Sequence, residues 1–156
     1  MKIFLECFYS FVGSICFAVI FNIKGKKVIF AGLGGALSQF AYVFLGFVFT
    51  SEITQYLFAT IITAIYAEIM ARLNKSPAIV FLVPSIIPLV PGGMMYYSME
   101  LCIAGKTDDF IKLLLETIGV AGSLAMGILI VSSVNKVLRV ASNRRNKLFK
   151  KKKTVL

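Results

Sequence analysis

"VPSIIPLVPGGMMYYSM", residues 83–99, lies in a stretch with no charged side chain from Pro77 to Met99, yet it holds three of the chain's four prolines and a Gly-Gly pair. Pro84, Pro88 and Pro91 each lack an N–H and crowd the preceding turn, so a regular helix does not run through 84–93. Strong helix breakers stand where an apolar chain most needs a helix. What that means depends on the solvent around the chain.

Composition settles the solvent. Of 156 residues, 58% are hydrophobic and 15% are charged, and the mean hydropathy is +0.87. The charges cluster between apolar runs at about 3–21, 28–49, 53–71, 78–104 and 110–135, each near or above the ~20 residues that a helix needs to cross a bilayer. A soluble domain with such runs would expose more apolar area than water tolerates. The expected fold is an all-α integral membrane protein with about five transmembrane helices, the fourth broken at its Pro/Gly-rich segment. Residues 1–138 form the membrane domain, and 139–156 form a basic tail. The first run is read as a permanent span, because Glu6 interrupts its core and no small-residue cleavage site precedes "NIKGKK" (22–27).

The net charge of +10 is concentrated in the tail, "RRNKLFKKKK" (144–153), directly after an apolar run. A juxtamembrane basic segment faces the cytoplasm and anionic lipid rather than nucleic acid. Five crossings then place "NIKGKK" and "ARLNKS" (71–76) on the tail's side and "TSEIT" (50–54) and "GKTDDF" (105–110) on the other, with the amino terminus outside. A re-entrant fourth run would leave four crossings and move Lys24, Lys26 and Lys27 to the opposite face. Charge bias favours five.

Inside a bilayer, backbone groups freed by prolines are tolerated only against protein or a water-lined cavity, so the break is expected to face the bundle interior. Broken helices of this kind build binding sites near the midplane of transporters. The residues expected along a substrate path are Pro88, Pro91, Gly92, Gly93, Tyr96, Tyr97 and Ser98, with Gln39 from the second run. A half-helix starting near Gly93 would aim its N–H groups at a carboxylate on the solute. No Lys or Arg lies well inside a span, so any cation for an anionic solute must come from a partner.

Polar and small residues recur at helical spacing: Ala31, Gly35, Gln39, Tyr42 and Gly46; Thr60, Ala64, Glu68 and Ala71; Glu116, Gly119, Ser123 and Gly127. The small residues suit packing seams. Glu68 and Glu100 are candidates for coupling or gating, because a carboxylate within a span is costly unless it is satisfied. For Glu68 the competing explanation is an ion pair with Arg72 at i+4, and Glu116 has Lys112 at the same spacing. Direct ATP drive is not expected, since no GxxxxGK[ST] segment occurs.

No catalytic residues are expected. The chain has no histidine, and its Ser, Tyr and Glu residues form no convincing nucleophile–base pair, which argues against an intramembrane enzyme. Cys7, Cys16 and Cys102 have no metal or redox spacing. Neither a cofactor nor a metal is called for. Two classes remain: a subunit of a secondary exporter, and an accessory or scaffold membrane protein without its own substrate path.

The run "PGGMMYYSM" (91–99), preceded by spaced prolines in a basic-tailed chain of this size, resembles the threonine/serine exporter family. The likeness rests mainly on Pro91, Gly92 and Tyr96. It is closest in kind to the small-subunit type, which corresponds to the carboxyl-terminal half of the fused exporters. The resemblance implies a bacterial inner-membrane exporter of threonine and serine, or of dicarboxylates such as succinate, that works with a larger subunit resembling the other half. Whether the chain also self-associates stays open.

Overall fold

In a computed structural model the backbone is described for residues 2–154 and the side chains for residues 3–138. The side chains of the basic tail lie outside the described residues. Six α-helices and one 3-10 turn follow in order: α1 (Lys2–Ile20), α2 (Lys27–Gly46), α3 (Glu52–Leu73), α4 (Ile79–Ile86), the turn Ile87–Leu89, α5 (Gly92–Ile103) and α6 (Thr107–Thr154). The protein is an all-α membrane protein. Helices α1, α2, α3 and the Thr107–Leu138 part of α6 are each long and apolar enough to cross a bilayer, and α4 with its turn joins α5 as a pair bent by 48°. A bend of that size carries α5 onward instead of folding it back beside α4.

The helices are insulated at their ends. Asn22, Lys75 and Gly105 have positive φ values of 56°, 48° and 71°, and each closes a helix in a Schellman motif. After α5, for example, Lys106 N–H donates to Leu101 O at 3.1 Å and Gly105 N–H to Cys102 O at 3.2 Å. These bonds satisfy carbonyls that a bilayer would leave bare. The end of α4 is built differently. Pro88 has no N–H to offer the carbonyl of Pro84, and the chain tightens into the 3-10 turn.

Packing is inverted relative to a water-soluble protein. Phe4, Ile20, Phe47 and Ile103 are exposed, as suits side chains facing lipid. The interior is small and hydroxylated: Ala31, Ala59, Thr60, Thr63, Ser38 and Ser85 are fully buried, with Phe81 and Leu89 as the large exceptions. Buried hydroxyls mostly return to their own helix, as Thr63 Oγ1 does to Ala59 O at 2.8 Å and Thr60 Oγ1 to Tyr56 O at 2.7 Å. Other bonds cross between helices, among them Tyr66 Oη donating to Phe30 O at 2.8 Å and Ser85 Oγ to Ala31 O at 3.2 Å.

Small residues set the spacing. Helix α2 lies at the centre, packed by α1, α3, α4 and the 3-10 turn, whereas α5 packs chiefly on α6. A Cβ on Gly34 would overlap Ser85 of α4, and one on Gly35 would overlap Ser14 of α1. Glycine is needed at both because two helices approach α2 there at once.

Candidate functional site

The close α1–α2 crossing opens into a shallow, wide-mouthed cavity of 360 Å³ bordered by α1, α2 and the 3-10 turn. From α1 come Glu6, Tyr9, Ser10, Gly13 and Ser14, from α2 Gln39, and from the turn Ile87 and Pro88. Glu6, Ser10 and Ser14 follow at i, i+4 and i+8, which places them on one helical stripe. Gln39 stands one turn beyond Gly35, the point of closest approach to α1. The 3-10 turn at the break therefore forms one side of an open cavity along which Glu6, Ser10 and Gln39 lie, with Glu6 and Tyr9 exposed.

Two features stand beside this cavity. Ser14 is fully buried, and its Oγ, packed against Gly35 in the seam between α1 and α2, has no hydrogen-bond partner, a state that costs about 1–3 kcal/mol for a buried hydroxyl. The cavity also meets the carboxyl end of α4, where aligned peptide dipoles leave partial negative charge and Pro88 withholds a donor.

The expected path residues divide into two groups. Gln39 and Pro88 line the cavity together. Pro91 is buried and centres an inverse γ-turn, with φ −76° and ψ 54°, closed by Gly92 N–H donating to Val90 O at 2.7 Å. Beyond it the chain turns outward. Gly92 and Gly93 are exposed, and a Cβ on either would meet no atom within 4 Å, so neither makes a close approach within this chain. Tyr96 and Tyr97 are 69% and 59% exposed, their rings edge to face at 5.5 Å. Ser98 is buried and donates its hydroxyl to Met95 O at 2.8 Å. Glu100 lies in a shallow groove with Tyr96, Met99, Ile103 and Ala104, apart from the cavity.

Glu68 occupies a third place. It lines a groove between α3 and α6 with Arg72 and Asn135, and Arg72 Nη2 donates to Asn135 Oδ1 at 2.6 Å. Glu116 is exposed on α6.

Sequence reasoning did not assign Glu6, Tyr9, Ser10 and Ser14 to the site. For Glu6, Ser10 and Ser14 the signal was the i, i+4, i+8 spacing in the first run, in which Glu6 stood out only as an interruption of an apolar core, and Tyr9 lies outside that series.

The family description "Threonine/Serine exporter, ThrE" matches residues 6–134. The chain belongs to the threonine/serine exporter family. Its relationship is thus to transporters and not to enzymes. The match begins at Glu6 and ends in α6, so the threonine/serine exporter region contains the whole cavity and the broken span, and the basic tail falls beyond it. No curated protein and no solved structure matches the chain.

Proposed function

We propose that the chain is one subunit of a bacterial inner-membrane secondary exporter of small polar metabolites, either threonine and serine or dicarboxylates such as succinate, acting with a larger partner subunit. The observation that carries this reading is the open cavity beside the break between α4 and α5, since broken helices are a device by which transporters hold solutes at membrane depth. The solute enters beside Gln39 and Pro88. The partner covers the outward face of α5, where Gly92, Gly93, Tyr96, Tyr97 and Glu100 are exposed and where a carboxylate in lipid is costly. The amino terminus lies outside and the tail in the cytoplasm, close to anionic lipid. An ion gradient supplies the energy.

Cells expressing the chain alone, the partner alone and both together, loaded with labelled threonine, serine and succinate, test the proposal. Export that requires both chains is expected. Full export by the partner alone would make this chain an accessory or scaffold protein.

A further inference from the structure

We propose that the groove between α3 and the membrane-spanning part of α6 is a binding site for an anionic phospholipid, with Arg72 at the headgroup and a stripe of isoleucines along one acyl chain. The inference goes beyond the exporter reading and holds whichever solute is moved.

Shape and polarity match an acyl chain. Ile61, Ile65 and Ile69 follow at i, i+4 and i+8 on α3, and Ile130 and Val134 form the opposite side on α6. The space between them is 340 Å³, and Ile65, Ile69 and Ile130 are 46%, 49% and 46% exposed. From Ile61 to Arg72 the groove follows α3 for about 16 Å, close to half of the ~30 Å hydrocarbon core. One leaflet's worth of acyl chain fills that length.

Charge selects the headgroup. Arg72 is exposed at the end of the groove, and its Nη2 donates to Asn135 Oδ1 of α6 at 2.6 Å. The bond places the end of α6 near residue 135 at the same membrane face as the end of α3, the face where Lys75 and Lys136 are exposed and where α2 begins at Lys27. Glu68, half-buried, lies one turn deeper in the same groove. A guanidinium carries five N–H donors, so Asn135 and a carboxylate together do not exhaust it, and with Lys75 and Lys136 close by in the chain the excess charge at this end is positive. A phosphate at the bilayer surface is the complementary group. A helix laid along the groove would instead bury Glu68 and Arg72 together away from water, a costly arrangement, whereas a lipid leaves the guanidinium hydrated among headgroups.

The chain has no tryptophan, so a single introduced one reports its own surroundings. Full-length Ile65→Trp is placed in bilayers that mix phosphatidylcholine with phosphatidylglycerol, each brominated in mid-chain in turn, and fluorescence quenching gives the ratio of the two affinities at that position. Phe40→Trp, at a 52% exposed position of α2 outside the groove, is the reference. Phosphatidylglycerol is expected to be preferred at position 65 by at least about fivefold over the ratio at position 40, which corresponds to about 1 kcal/mol for a basic side chain among anionic headgroups. In the Ile65→Trp chain, Arg72→Gln should bring the ratio down to the reference and Arg72→Lys should keep part of it. Changing Lys150, Lys151, Lys152 and Lys153 of the tail to Gln should leave it unaltered, and inorganic phosphate at constant ionic strength should not lower it.

Equal ratios at positions 65 and 40 would leave the groove with bulk lipid only and overturn the proposal. That comparison needs no change at Arg72, so it decides the matter even where Arg72→Gln fails to fold. The proposal also falls if no brominated lipid quenches at position 65, which would mean that protein covers the groove, if Arg72→Gln keeps the full ratio, or if either the neutral tail or inorganic phosphate abolishes it.

Discussion

Gly34 and Gly35 sit side by side on α2 and face different neighbours, Ser85 and Ser14. Because backbone packs against side chain at both points, neither neighbour has a flexible end to move aside. Gly34→Ala and Gly35→Ala should each destabilise the fold by about 1–3 kcal/mol, the usual cost of overpacking, measured by reversible unfolding in mixed detergent. Gly122→Ala, where a Cβ meets no atom within 4 Å, should be neutral or slightly stabilising. At Glu68, which lines a groove with Arg72 and Asn135, a coupling role predicts that Glu68→Gln lowers transport while the amount of protein in the membrane is unchanged. Unchanged transport would reduce Glu68 to a structural neighbour of Arg72. Much of this scale was legible in the sequence: the spacing of Ala31, Gly35 and Gln39 marks the face of α2 that meets its neighbours. Glu6 was legible as an anomaly but not as a site residue, since a polar stripe near a chain end has the same spacing whether or not another helix covers it.

Among the elements, the broken fourth span was the clearest sequence signal, and its orientation the least clear. Three prolines dictate that a helix stops. They do not dictate the angle of 48° or which side of the restarted helix meets protein, because lipid-facing and protein-facing positions are both apolar in this chain. Pro88→Ala restores an N–H within bonding reach of the Pro84 carbonyl and should regularise the end of α4, narrowing the cavity. Export should fall with the protein still inserted, and export at the wild-type rate would separate the break from transport. The double change Gly92→Ala and Gly93→Ala is expected to act differently. With open space at both positions, the chain's own fold should gain up to ~1 kcal/mol per site from helix propensity, while co-purification of the partner falls. Normal co-purification and normal export would place the partner contact elsewhere than on α5.

For the whole molecule, topology is the quantity to measure. In a background lacking Cys7, Cys16 and Cys102, single cysteines at Lys24 and Lys150 should react with a membrane-impermeant reagent from one face and a cysteine at Ser51 from the other. Labelling of positions 24 and 150 from opposite faces would remove the five-crossing arrangement. The bend in the fourth span also divides its attachments. Helix α4 is held by α2 and α3, but α5 is held by α6, and the short connection between them carries Ile87 and Pro88 into the cavity wall. Mechanically, α5 is a lever hung on α6, and the hinge it shares with α4 is one side of the open cavity beside α1 and α2.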